Sequence, residues 1–75
     1  MAKLPRPSGK EMVAFLIRHG FVVIRIRGSP HFLSSGDAQT CVPVHANRPL
    51  KIGTLRSILR DIDLSPADFT QEFSG

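Results

Sequence analysis

Between Phe21 and Leu33 the chain runs through an apolar stretch rich in β-branched residues, breaks at Gly28-Ser29-Pro30, and resumes with His31, Phe32 and Leu33. Two short apolar runs separated by such a turn are the pattern of paired strands. This hairpin constrains the fold most, because it demands a sheet and requires the flanking segments to cover one side of it. It also sets Arg25, Arg27 and His31 close together, which points to a site for an anionic substrate.

The flanking segments have helical periodicity. Ser8-Gly9-Lys10-Glu11 matches a capping box and starts a first helix, in which Met12, Phe15, Leu16 and His19 recur at helical spacing. Val13 and Ile17 widen the stripe, Gly20 ends the helix, and His19 falls in its last turn. A second helix is predicted from about Gly53 or Thr54, with Leu55, Ile58, Leu59 and Ile62 on the apolar face and Arg56 and Arg60 on the wet one. Ser65 caps a short third helix, Pro66 to about Phe73, which docks through Phe69 and Phe73. Met1 to Pro7 reads as a loose lead.

The strands are predicted at Phe21–Arg27, His31–Ser35 and about Gln39–Val44, with Ser34-Ser35-Gly36-Asp37 as the second turn. Pro43 makes the third strand an edge or breaks it there. Val22, Ile24 and Ile26 form an apolar face that should take the helices. If Phe32 and the valines of the third strand join them, the open face collects Arg25, Arg27, His31, Cys41 and His45. The expected class is α+β: an antiparallel three-stranded meander in α-β-β-β-α order, helices on one face, and a small helical tail.

A chain of 75 residues makes one domain, 1–75, with a core at about 9–65 and a C-terminal helical extension at 66–73. Residues 1–60 carry all ten Lys and Arg against only Glu11 and Asp37, a net +8, whereas residues 61–75 are −4. A basic body of this kind suits nucleic acid or is simply a solvated surface, and the acidic tail either folds across it or serves helix dipoles and solubility. The longest uninterrupted apolar run, Met12 to Ile17, is too short to span a membrane, and no apolar segment of signal-peptide length follows Lys3 and Arg6. The single Cys41 forms no internal disulfide, so a reducing compartment, the cytoplasm, is expected and no membrane partner. His19, His31, Cys41 and His45 lack the paired spacing of a zinc site.

The run Arg-Ile-Arg-Gly-Ser-Pro-His-Phe, then Cys41-Val42-Pro43-Val44-His45, then Leu50 to Ser65 with its Lys-x-Gly-Thr-Leu-Arg-x-Ile-Leu pattern at Lys51 to Leu59, resembles the HicA toxin family. The resemblance covers about residues 9–65. It implies a fold like the double-stranded RNA-binding domain and metal-independent cleavage of messenger RNA without a cofactor. It also implies a HicB-like antitoxin as partner and the histidine of Gly-Ser-x-His, His31, as the catalytic residue. This chain departs from the family's pattern at Pro30, where a polar residue or a second histidine is common.

Metal-free cleavage of an RNA backbone requires a base for the 2′-hydroxyl, an acid for the leaving 5′-oxygen, and positive charge at the phosphorane. Histidine serves the first two, since its ordinary pKa of about 6.5 lies near the working pH. On the residues alone His31 reads as a structural turn histidine; the resemblance moves it to general base or acid. His45 is a second proton carrier or a loop histidine, and Ser29 orients the histidine or phosphate or caps its own turn. Arg25 and Arg27, with Arg48 or Lys51, are expected to hold phosphate, and Arg56 contacts phosphate or faces solvent. A non-catalytic RNA-binding module and a pure interaction protein are the rival classes.

Overall fold

The computed structural model describes residues 4–74. Its elements run α1 (Gly9–Arg18), β1 (Val22–Ile26), β2 (Pro30–Ser35), β3 (Ala38–Pro43), α2 (Ile52–Asp61) and α3 (Pro66–Ser74). The strands form one antiparallel sheet in the order β1-β2-β3, so the predicted α+β class and element order hold.

The helix starts follow from local hydrogen bonding. The Glu11 N–H donates to Ser8 Oγ at 3.2 Å and the Ser8 N–H to Glu11 Oε1 at 2.9 Å, which completes the capping box of α1. At α3 the Asp68 N–H donates to Ser65 Oγ at 3.1 Å. By contrast α2 begins slightly earlier than predicted, from Lys51, whose side chain makes no capping bond.

The core joins Met12, Phe15 and Leu16 of α1, Leu55, Ile58 and Leu59 of α2 and Phe69 of α3 to Leu33 and Val42 of the sheet. Phe15 is its centre, edge-on to Phe69 at a centroid distance of 5.0 Å and stacked on His19 at 4.1 Å. Ile17, expected on the apolar stripe, is exposed. Buried Thr40 donates its hydroxyl to Asp61 Oδ2 at 3.0 Å and so ties β3 to the end of α2.

Two assignments of face are corrected. Leu33, rather than Phe32, enters the core, because Leu33 pairs with Thr40 and His31 with Val42, and cross-strand partners share a face. His31 therefore lies on the helix side, not on the open face. In β1 the register slips between Val23 and Arg25. Before this bulge Val23 shares the face of Leu33 and Val22 turns outward; after it Ile26 faces the helix side and Arg25 the open side, opposite Phe32. Phe21, placed with the arginines by simple alternation, is buried.

The lead is not loose where it is described. Arg6 donates through Nε and Nη2 to the Leu50 carbonyl at 3.2 and 3.0 Å, and the Leu50 N–H donates to Pro7 O at 2.8 Å. Met1 to Lys3 lie outside the described residues. Next to this clasp, Gly9 lets α1 approach the end of β3 so closely that a Cβ there would collide with Pro43 O and stand 2.9 Å from Val44 Cα. Both obstacles are backbone. Gly9→Ala is expected to lower stability by about 2–3 kcal/mol, seen as a lower urea midpoint at unchanged slope.

Candidate functional site

The turn between β1 and β2 is closed by the Arg27 N–H donating to Pro30 O at 3.1 Å. Gly28 supplies the positive φ of +68° that a two-residue hairpin loop needs at its first position. Pro30 has no N–H to return the bond, so the turn is held from one side only.

The Ser29 carbonyl does more than close the turn. It accepts the Val44 N–H at 2.9 Å and stands 3.1 Å from Nδ1 of His31. A carbonyl oxygen only accepts, so Nδ1 is assigned the hydrogen and the neutral ring presents its lone pair on Nε2. Nε2 has no hydrogen-bond partner among the described residues, and the ring is half-buried between the cross-strand neighbours Ile26 and Val42. The hydrogen bond fixes the tautomer that a general base requires. Among the described residues it is the backbone of Ser29, not its hydroxyl, that orients the imidazole.

The Val44 bond also sets the segment after β3 beside this turn. His45 there is exposed, and its carbonyl accepts the Arg48 N–H at 3.0 Å. Its side chain borders a depression of about 340 Å³ lined by Pro43, His45, Arg48, Pro49, Leu50, Lys51 and Thr54. The depression lies at the start of α2, where the missing side-chain cap leaves backbone N–H groups and the positive end of the helix dipole available. Two cationic side chains, a hydroxyl and a helix start suit a phosphate. Thr54 was not singled out from the sequence, although it sits within the Lys-x-Gly-Thr pattern.

The other expected cations are placed elsewhere. Arg25 is exposed on the open face, across the sheet from His31, and Arg27 is exposed at the mouth of the turn. Arg56 borders a groove with Arg60, Leu64 and Pro66 at the junction of α2 and α3. The sequence-predicted residues thus divide into His31, Ser29, His45, Arg48 and Lys51 at one end of the sheet, with Arg27 beside them, and Arg25 and Arg56 apart.

His19 is occupied structurally. Its Nδ1 faces Phe15 O at 2.9 Å and its Nε2 faces Glu72 Oε1 at 2.8 Å, which pins α3 to α1. The acidic tail therefore docks among the helices through Phe69, Phe73 and Glu72. Among the described residues no group of three His, Cys, Asp or Glu side chains comes together, and no helix is long and apolar enough to cross a membrane.

Cys41 lies half-buried on the open face opposite Phe32, where burial first and the negative charge of Asp61 second push its thiol pKa up. The unfolded thiol therefore loses its proton at lower pH than the folded one, so in that interval the folded state holds more protons and stability falls as pH rises. Wild type is expected to lose stability above about pH 9 relative to Cys41→Ala, as measured by urea melts across that range.

A family model described as HicA toxin of bacterial toxin-antitoxin matches residues 9–64. The chain belongs to the HicA toxin family. The HicA match runs from the first residue of α1 through α2 and contains both the His31 turn and the depression at the start of α2, leaving α3 outside. Membership makes the protein a toxin of a toxin–antitoxin pair and implies a partner antitoxin. No curated protein matches the chain.

Proposed function

We propose that this HicA protein is a metal-independent endoribonuclease that cleaves messenger RNA in the cytoplasm and is neutralised by a HicB-like antitoxin. The observation that carries the reading is the Nδ1 contact of His31 with Ser29 O, which leaves Nε2 as a free base at the edge of a basic surface. In the proposed reaction Nε2 takes the 2′-hydroxyl proton as the 2′-oxygen attacks phosphorus. The bond to the 5′-oxygen breaks, and that oxygen receives a proton from a second acid, a role we give to His45, which follows the Val44 that bonds to Ser29 O, since His19 is engaged by Phe15 O and Glu72. The products are a 2′,3′-cyclic phosphate and a 5′-hydroxyl.

Arg48, Lys51 and the start of α2 supply positive charge to the phosphate, and Arg27 flanks it from the turn. Arg25 and Arg56, which the fold sets apart, are left to longer-range attraction of the polyanion, with Ser29 a positioning residue through its carbonyl. The α-β-β-β-α order is shared with domains that grip duplex RNA, and the alternative, a non-catalytic binder, would not need the oriented imidazole. The test is incubation of the partner-free protein with a defined single-stranded RNA in chelator, followed by end-group analysis. A 2′,3′-cyclic phosphate is expected; a 5′-phosphate product would rule out attack by the 2′-hydroxyl.

A further inference from the structure

β1 is an edge strand with the surface of an interior one. Val22, Ile24 and Ile26 are 59, 55 and 58 % exposed, and Val23 is 36 % exposed. The bulge spreads these side chains over both faces, so no single packed layer hides them. Among the described residues the outer backbone edge of β1 pairs with no strand, while α2 packs against β3 and α1 touches both β1 and β3. Soluble proteins ordinarily blunt such an edge, and an apolar one left open is a template for an added strand.

Charge decides what kind of strand fits. From Met12 to Gly36 the chain contains no Asp or Glu, whereas Arg25 and Arg27 stand in and just beyond β1. A second copy paired antiparallel about Ile24 would set the two Arg25 side chains as diagonal neighbours about 7–8 Å apart, with no carboxylate between them. A foreign strand with acidic residues at those positions meets the same arginines as counter-charges and still covers the apolar side chains.

We propose that the outer edge of β1 receives one extended strand of a second protein, apolar at alternate positions and carrying Asp or Glu opposite Arg25 and Arg27. The inference rests on the toxin reading in one respect, that the second protein is the antitoxin of the pair. A strand added there lies two strand spacings, roughly 10 Å, from β2, which carries His31. Its carboxylates occupy Arg25 and Arg27, and its backbone crowds the Ile26 side of the imidazole. Neutralisation then needs no contact with the catalytic nitrogen itself.

The experiment uses the full chain and, as probe, a purified HicB-like antitoxin. Amide hydrogen exchange is read with and without the probe, and affinity is measured for wild type, Ile24→Glu and Arg25→Glu. Expected are slowed exchange at Val22 to Ile26, a loss of about 100-fold in affinity for Ile24→Glu and of about 10-fold for Arg25→Glu. The melting temperature and RNA cleavage of Ile24→Glu alone should match wild type, because that side chain is exposed in the free protein. Unchanged exchange across β1 in the complex, or wild-type affinity of Ile24→Glu, overturns the proposal. Sedimentation of the free chain as a dimer closed through β1 overturns the choice of occupant. Slowed β1 exchange without RNA cleavage would refute the ribonuclease and keep the docking edge, and cleavage with an unprotected β1 would do the reverse.

Discussion

His31→Ala is expected to lower RNA cleavage by about 10²- to 10⁴-fold, the usual contribution of a positioned acid or base, while the protein stays folded. The substitution removes a half-buried ring and one hydrogen bond to Ser29 O, a stability cost of about 1 kcal/mol. RNA affinity should change by less than about threefold, since the proposed function assigns phosphate attraction to the arginines and lysines. The check is single-turnover cleavage beside a filter-binding titration at fixed salt. Equal cleavage by variant and wild type would sink the catalytic assignment; equal loss of cleavage and binding would make the histidine a contact residue.

Phe15→Ala carries the largest expected effect on stability. The ring is wholly buried and touches His19, Phe69 and Phe73, so its removal opens a cavity where α1 meets α3. Truncation of a buried phenylalanine costs about 3–5 kcal/mol. At roughly 0.05–0.15 kcal/mol per residue, a chain this short has about 4–11 kcal/mol in total, so the variant should be largely unfolded on mild heating. Circular dichroism during a thermal scan measures it. A variant that melts within a few degrees of wild type would mean that α3 slides in to fill the space.

The sequence-based reading succeeded where a short-range rule decides the outcome. The capping box set the start of α1, Ser65-Pro66 set the start of α3, and the stripe of Leu55, Ile58 and Leu59 identified the buried face of α2. It failed where long-range register decides. With a two-residue turn at Gly36-Asp37, Ser35 pairs with Ala38 and hence His31 with Val42. Turning Val42 inward therefore forces His31 and Leu33 inward as well, a constraint that alternation within each strand does not reveal. The bulge in β1 is invisible to a period of two for the same reason, and it moved Phe21 and Val23 to the helix side. At the site, Gly-Ser-x-His located the imidazole, but the coupling of Ser29 O to Val44 depends on how the end of β3 meets the turn, and only the folded chain shows it.

The two hairpins close through short turns, and no pairing in the sheet joins residues more than 13 positions apart. Sheets assembled from such near neighbours form without long loop closures, which places folding of a small mixed domain around the millisecond range. Each newly made chain therefore waits on no long-range strand pairing to complete its sheet. Restraint of the toxin then falls to the partner antitoxin that its family implies, which has to keep pace with synthesis.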